Sequence, residues 1–260
     1  MWKLEVAGEV IPALFMGLCM YNRQKVTAVI PALNESEAIA GVVSGLLGLQ
    51  CDGKPLVDEV IVGDNGSSDD TVTKALAAGA QVVQEQRKGY GWACKKAISA
   101  SSGKGYFVFV DGDASVAVSE VVALLDSLDE NTLVIGARQA GQSYQDKSMT
   151  WAQRVGTALV CKLVSYLWSP ITDVGPFRAI HSYDLARLNM RGSRYQWTVE
   201  MQIKALQHGI RVVEVPVSSL RRKGRSKISG TVRGTIGAGL GMLSMVVERY
   251  LVERLGLLRP

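Results

Sequence analysis

Two aspartates, Asp111 and Asp113, are the residues of this 260-residue sequence whose type and spacing most directly suggest chemistry. They follow the apolar run YFVFV, which predicts that both carboxylates lie at the end of a buried strand. Carboxylate oxygens at this spacing suit Mg²⁺ or Mn²⁺ shared with a diphosphate. Such an ion would neutralise the charge that builds on a departing nucleoside diphosphate. The alternative is a turn in which the aspartates cap the next helix.

Two further polar motifs directly follow apolar runs in the same way. Asp64 ends the run VDEVIVGD, and Asn34 and Glu35 follow VTAVIPAL. Helix capping by residues 68–70 accounts for the end of the first motif, but Asp64 precedes the turn and can accept hydrogen bonds from a nucleobase edge. Asn34 and Glu35 are either N-cap residues or contacts to a base or ribose, and the two roles are compatible.

These side chains need elements that bring them together. From residue 25 onward, short β-branched apolar runs alternate with helical stretches, up to the run TLVIGAR that ends at Arg138. Strands that are apolar on both faces are typical of a mostly parallel sheet covered by helices, which binds ligands at the carboxyl ends of its strands. The sequence therefore predicts an α/β fold with a mostly parallel sheet flanked by helices. A helix at 199–207, a strand and a final helix from 231 follow.

The bulk composition is that of a globular enzyme. Apolar residues make up 47% of the chain and charged residues 20%. This is enough apolar material for the core of one large domain, and it excludes the collagen-like and disordered classes. The cysteines have no metal-like or redox spacing, so we expect buried thiols in a reducing compartment. They are Cys19, Cys51, Cys94 and Cys161.

Basic charge is concentrated in residues 219–260, which contain nine Lys or Arg and two Glu within a chain of net charge +5. Such a segment suits nucleic acid, an anionic membrane or substrate phosphates. The apolar segments at 10–21 and 236–247 are shorter than the roughly 20 residues that a spanning helix needs. We therefore expect neither to cross a bilayer, and we expect a cytoplasmic protein or one at the cytoplasmic face of the membrane.

The motifs PALNE, DNGSSDDT, KGYGWA and DGDA occur in the order and spacing of family 2 glycosyltransferases, which the sequence resembles over about residues 26–233. The resemblance implies a GT-A type nucleotide-diphospho-sugar transferase fold and a UDP- or GDP-sugar donor. It also implies Mg²⁺ or Mn²⁺ held by Asp111 and Asp113. The nucleotide-binding residues that it implies are Pro31, Ala32, Asn34, Glu35, Asp64, Lys88, Gly89, Asp111 and Gly112.

The second half of the chain resembles a narrower group. Arg221, Gly224, Ser226 and Lys227 reproduce the R-x-x-G-x-S-K arrangement of dolichol-phosphate mannosyltransferases and related bacterial polyprenyl-phosphate glycosyltransferases. That resemblance implies an inverting hexosyltransferase whose acceptor is a polyprenyl phosphate. The catalytic residues that it implies are Asp113, Asp173, Arg138, Arg221 and Lys227, and the acceptor-phosphate ligands are Arg221, Arg222, Ser226 and Lys227.

The chemistry of this basic loop agrees with a phosphate ligand. Its five cations within residues 221–227 can neutralise a donor diphosphate and the phosphate of a lipid acceptor. A solvated loop or a nucleic-acid patch is the alternative. Because the loop has no interleaved aromatic residues of the kind that stack on bases, we expect no nucleic-acid partner.

Asp173, in the loop ITDVGPFRA, leaves two acceptor classes open. It is the general base if the acceptor is a hydroxyl. A phosphate acceptor is largely ionised near neutral pH and needs no base, so that Asp173 then orients sugar or acceptor. Glu200 is expected to pair with a basic loop residue or to act at the site. A nucleotide-binding or membrane-adaptor module without turnover is the non-enzyme alternative.

The predicted organisation is an N-terminal extension (1–24), a GT-A catalytic domain (25–230) and a C-terminal amphipathic helix (231–260). This last segment mixes a glycine-rich apolar face with Arg233, Arg249, Arg254 and Arg259. It fits peripheral contact with an anionic leaflet. It fits the interface of a homodimer or a core helix nearly as well.

Overall fold

The computed structural model describes residues 24–138, 151–224 and 232–256, and the backbone of two short strands before them. These strands, β1 (Glu5–Val6) and β2 (Glu9–Val10), form a two-stranded antiparallel sheet of their own. The rest of the predicted extension at 1–24 lies almost entirely outside the described residues.

The other described elements alternate between strands and helices along the chain. The strands are β3 (Val26–Ala32), β4 (Gln50–Cys51), β5 (Lys54–Pro55), β6 (Glu59–Asp64), β7 (Gln81–Gln84), β8 (Tyr106–Phe109), β9 (Thr132–Arg138), β10 (Arg178–His181) and β11 (Arg211–Val217). The helices are α1 (Ile39–Leu47), α2 (Thr71–Ala77), α3 (Tyr90–Ala100), α4 (Val121–Asp126), α5 (Trp151–Leu167), α6 (Ser182–Arg187), α7 (Gln196–Gln207) and α8 (Val232–Arg254).

Seven strands form the central sheet, in the order β11-β9-β10-β8-β3-β6-β7. All neighbouring strands are parallel except β10, which is antiparallel to both β8 and β9. The mostly parallel α/β sheet predicted from the sequence is therefore confirmed.

The sheet is buried on both faces because successive residues of its central strands point to opposite sides. Ile30 lies in the cluster formed with α1 and α4, whereas its neighbour Val29 lies in the cluster on the other face, with α3 and α7. β3 is buried along its whole length. This two-sided burial explains why the strands read as continuous apolar runs.

A third apolar cluster joins α5, α7 and α8 beside the sheet. Val160 and Val164 of α5, Ile203 of α7 and Val246 of α8 are buried together there. Some apolar residues of α8, such as Leu240, are exposed on the opposite part of its surface from this cluster or beside it, at 62% for Leu240. Among the described residues, no helix combines the length and the apolarity needed to cross a bilayer.

The cysteines depart from the expectation of four thiols. Cys94 and Cys161 are free and buried, and burial raises the pKa of the Cys161 thiol to about 12. Cys51, by contrast, is disulfide-bonded. Cys19 lies outside the described residues.

Gly63 lies where α3 approaches β6 most closely. A Cβ atom at this position would lie 2.3 Å from the Ala93 carbonyl oxygen, whereas a Cβ at Gly41, on the outside of α1, would meet nothing within 4 Å. We expect Gly63→Ala to lower the free energy of unfolding by about 2 kcal/mol or more, because backbone must shift. Gly41→Ala should be neutral or stabilising by up to about 1 kcal/mol. Urea unfolding of both variants checks this, and equal stabilities would contradict the close contact.

Candidate active site

The polar motifs meet at one edge of the sheet. β3, β6 and β9 end there at Ala32, Asp64 and Arg138, and Asp111 follows the end of β8. Strand β10 runs the other way, so its first residue, Arg178, stands opposite Phe109 at the same edge. The predicted clustering at the carboxyl ends of the strands is therefore confirmed.

Asp111 and Asp113 lie side by side within this edge. Asp113 is buried, and its carboxylate accepts a 2.9 Å hydrogen bond from the Ser115 amide and forms an ion pair with Arg222. Burial, together with the negative charge of Asp113, raises the pKa of Asp111 to about 7, although the charges of Arg222 and Arg138 oppose the rise. The two carboxylates therefore concentrate negative charge that calls for a cation.

The segment after β11 is held against these aspartates by its backbone. The Lys223 amide donates to the Asp113 carbonyl oxygen at 2.9 Å, and the Leu220 amide donates to the Ser115 carbonyl oxygen at 2.8 Å. These bonds bring Arg222 to Asp113, and they place the exposed Arg221 beside it in the chain. The predicted phosphate ligands Ser226 and Lys227 lie outside the described residues.

Asp173 is fully occupied by neighbouring donors. Arg138 binds its two carboxylate oxygens through Nε and Nη2 at 2.8 and 2.7 Å, and the amides of Arg138 and Val174 donate at 2.9 and 2.7 Å. Burial opposes ionisation, but the hydrogen bonds and charge of Arg138 prevail and lower the pKa of Asp173. In this arrangement Asp173 fixes Arg138 at the end of β9.

Asn34 and Asp64 join the loops in which the sequence predicted nucleotide binding. The Asn34 side-chain oxygen accepts from the Ser68 amide at 2.7 Å, and the Asn34 amide donates to Ser67 Oγ at 2.9 Å. The Asp64 carboxylate accepts from the amides of Gly66 and Ser67 at 3.2 to 3.3 Å. Both residues thus hold the loops in shape at the predicted site.

Asn65, which the sequence did not single out, holds the predicted Lys88–Gly89 loop. Its side-chain amide donates to the carbonyl oxygens of Glu85 and Arg87 at 3.0 and 2.8 Å, and its side-chain oxygen accepts from the Gly89 amide at 2.7 Å. Lys88 Nζ donates to the Asn65 carbonyl oxygen at 3.1 Å. The only sequence signal for this role was its place directly after Asp64.

Pro31, Ala32 and Gly112 contribute close-packed backbone to the floor of the site. Pro31 and Ala32 are the buried last residues of β3. A Cβ at Gly112 would lie 3.3 Å from both Ile30 and Ile39, so a larger residue would push the loop outward. The Glu35 amide donates to Thr71 Oγ1 at 2.8 Å. The negative charge of Glu35 also helps to raise the pKa of Asp111.

Glu200 has a structural role away from the aspartates. Its carboxylate accepts from the amides of Arg191 and Gly192 at 2.8 and 2.6 Å and pairs with Lys204 Nζ at 2.7 Å. Its cationic partner thus lies one helical turn away in α7, and not in a basic loop. The loop that it holds packs against the glycine-rich start of α3, where a Cβ at Gly91 would lie 2.4 Å from the Gly192 carbonyl oxygen.

Arg178 is a buried cation behind the site that sequence reasoning missed. Its side chain is 0% exposed and donates to the carbonyl oxygens of Thr198, at 2.8 Å, and Gly175. Burial lowers its pKa to about 10. The sequence of this short strand does not indicate that Arg178 lies near the site. It does so because β10 is antiparallel to its neighbours, so that its first residue lies at the edge where the other strands end.

A mostly parallel sheet with paired aspartates after one strand and polar loops after two others is the arrangement of a GT-A type fold. Residues 27–182 match the family described as Glycosyl transferase family 2, and the chain belongs to that family of glycosyltransferases. The protein is therefore a transferase enzyme by family.

Relatives of the chain agree with this membership. An uncharacterized glycosyltransferase of Mycobacterium tuberculosis is 34% identical over 226 residues, which cover 85% of this chain and 97% of the relative. Glucosyl-3-phosphoglycerate synthase of the same species is 42% identical over 96 residues, which cover 34% of this chain and 28% of the synthase.

The crystal structure of that synthase in complex with Mn²⁺, UDP-glucose and phosphoglyceric acid has the same fold. The match has a TM-score of 0.69 and 25% sequence identity, and covers 88% of this chain and 80% of the synthase. The GT-A fold predicted from the motifs is therefore confirmed.

The Arg138–Asp173 pair gives a prediction for stability. Because the folded-state pKa of Asp173 is lowered below its usual 3.8, the carboxylate stabilises the fold above that pH and ceases to do so as the pH falls through the folded value. Asp173→Asn should cost about 3 kcal/mol near pH 7, because Arg138 loses this ionic partner, and less near pH 3, where the stabilisation has begun to be lost.

Urea unfolding at both pH values measures this difference. Asp52→Asn, at an exposed turn, is the control and should change little at either pH. A loss that is equally large at both pH values would contradict the ionic origin.

Proposed function

We propose that the enzyme transfers a sugar from a UDP-sugar to the phosphate oxygen of a polyprenyl phosphate, with a divalent metal ion at Asp111 and Asp113. The observation that carries the proposal is the docking of the cationic segment 218–224 on the Asp113 loop. That contact brings Arg222 to the carboxylates, where donor diphosphate and acceptor phosphate would meet.

The donor set fits Mg²⁺ or Mn²⁺. Hard carboxylate oxygens are the ligands that these ions take in proteins. Burial and the negative charge of Asp113 raise the pKa of Asp111, and a bound cation would oppose both effects. No three His, Cys, Asp or Glu side chains of the described residues are placed to ligate one ion, so the diphosphate would complete the coordination. When bound, the ion supplies charge neutralisation for the leaving diphosphate. The Mn²⁺ and UDP-glucose in the synthase structure support this choice.

Each part of the site then has a distinct task. Asn34, Glu35 and Asp64 lie where the nucleoside would be held, and the Lys88–Gly89 loop, fixed by Asn65, lines its other side. Arg138, aimed by Asp173, and Arg222 offer fixed guanidinium groups to the diphosphate, which they bind in bidentate fashion better than a flexible lysine would.

The state of Asp173 favours a phosphate as the nucleophile. A general base needs a free lone pair and a pKa near the working pH, whereas Asp173 accepts four N–H donors and its pKa is lowered. A phosphate monoester is already ionised, with a second pKa near 6. One of its oxygens attacks the anomeric carbon, the bond from that carbon to the diphosphate breaks, and UDP leaves with the electron pair. A single displacement of this kind inverts the anomeric centre and needs no proton transfer.

A second candidate is transfer to a hydroxyl of a water-soluble, phosphate-bearing acceptor. The phosphoglyceric acid in the synthase structure favours it. Both candidates place an acceptor phosphate beside the cationic segment, and they differ in the attacking oxygen. Under this second candidate Asp173 would have to release Arg138 to act as base.

Loss of either aspartate should stop the reaction. We expect Asp111→Asn and Asp113→Asn to lower turnover by about 10²-fold or more, and EDTA to abolish wild-type turnover. Released UDP is measured with a panel of UDP- and GDP-sugars, and thermal melting confirms folding. Asp52→Asn is the matched control. Turnover that survives EDTA or Asp111→Asn would remove the metal assignment.

The acceptor is identified by comparing polyprenyl phosphate, the unphosphorylated polyprenol and 3-phosphoglycerate. We expect product with polyprenyl phosphate alone, and a rise in its KM of about tenfold in Arg222→Ala, because one charge-assisted contact is lost. Arg211→Ala removes the same charge from the opposite end of β11 and should leave KM unchanged. Product with 3-phosphoglycerate and none with the lipid would establish the second candidate.

A further inference from the structure

Helices α5 and α8 expose apolar side chains on the side that faces away from the protein. On α8, Leu240, Val247 and Leu251 are 62%, 52% and 49% exposed, and on α5 Leu159 and Tyr166 are 52% and 86% exposed. We call these five residues the outer apolar face. The two helices pack against each other through buried residues on their other sides.

Helical geometry shows that this exposure is systematic. Steps of four and seven residues return to the same side of a helix, and these steps separate the exposed residues within each helix. The buried residues Val160 of α5 and Val246 of α8 lie about 100° or more around each helix from these exposed residues. A helix at a protein surface normally turns polar residues outward, and adjoining exposed apolar residues mark an interaction site.

The surrounding charge favours an anionic partner. Among the described side chains of the two helices, the exposed cations are Arg154, Lys162 and Arg254. The acidic residues of α8 are Glu248 and Glu253, and both are exposed. The Glu253 carboxylate accepts hydrogen bonds from Trp168 Nε1 and Gln207 Nε2. With the buried Arg249 included, the described side chains of the two helices carry four cations and two acids. A symmetric contact between two copies would bring these like charges together, whereas anionic headgroups would attract them.

We infer that the outer apolar face lies on an anionic lipid surface. The apolar side chains would enter the boundary between headgroups and acyl chains, with Tyr166 at headgroup level and the cations above it. Both helices would lie in the plane of the surface.

This contact would hold the acceptor side of the site close to the lipid. Ile171 and Val174, which flank Asp173, are buried in the same cluster as Val160 and Val246. The loop that aims Arg138 is thus fixed to the lipid-facing helices. The proposed function explains why the protein would make this contact, and the inference rests on it in that respect only. The apolar face itself is identified from the exposure of its side chains.

Flotation with lipid vesicles tests the surface. The full chain is mixed with vesicles of phosphatidylcholine alone and of equimolar phosphatidylcholine and phosphatidylglycerol, and we expect binding to the second that weakens in high salt. Leu159→Glu and Leu251→Glu should each weaken binding about tenfold or more, because an inserted apolar side chain becomes an anion. Leu76→Glu makes the same change at a residue that is 54% exposed on α2, and it should bind like the wild type.

Sedimentation gives the mass of the protein in solution, and this mass distinguishes a lipid surface from a second copy of the chain as the partner of the outer apolar face. A dimer that Leu251→Glu dissociates, with no vesicle binding, would assign the face to a second copy and overturn the inference. A monomer that does not bind anionic vesicles would also overturn it. Transfer to a short-chain, water-soluble polyprenyl phosphate should be unchanged in both glutamate variants, so a failure of vesicle binding is distinguished from a failure of the proposed function.

Discussion

Negative charge at the edge of a buried sheet has to be matched by nearby positive charge, because desolvated carboxylates otherwise take up protons. In this protein Asp111, Asp113 and Asp173 lie at that edge, and arginines from distant segments of the chain neutralise part of their charge. Arg222 reaches Asp113 and Arg138 reaches Asp173. The charges that suit a metal ion and a diphosphate are therefore the same charges that hold the loop after β11 and the end of β9 in place. The ion pairs that stabilise the fold therefore also set the charge of the predicted site.

The strands that build the site are predictable from local pattern. The run VTAVIPA corresponds to β3, TLVIGAR corresponds to β9, and the final helix predicted from 231 corresponds to α8. Apolar periodicity is a property of a few adjacent residues, so sequence carries it well. The reversed β10 is different, since its direction depends on its pairing with β8 and β9, which lie far from it in the chain.

Side-chain partners across the site are predictable only in part. The two aspartates after β8 carry their own signal, because carboxylates at a strand end are unusual and fit metal chemistry. The engagement of Asp113 by a residue 109 positions away and of Asp173 by one 35 positions away depends on the tertiary structure. The same holds for Asn65, whose amide meets a loop more than 20 residues ahead. Such contacts change the chemistry open to a residue. The carboxylate of Asp173, for example, already accepts four N–H donors and has no lone pair left for a base.

The position of β10 between β8 and β9 sets an order of assembly. Strands β3, β6, β7 and β8 can pair with one another as soon as residue 109 is available, so the nucleotide-side half forms from relatively near contacts. β9 then waits for residues 178–181, because it has no neighbour in the sheet until β10 or β11 arrives. Throughout that interval the open edge of β8 is exposed to pairing with other chains. Helix α5, which lies between β9 and β10 in the chain, does not shorten this interval, because its buried residues pack against α7 and α8, which come later still.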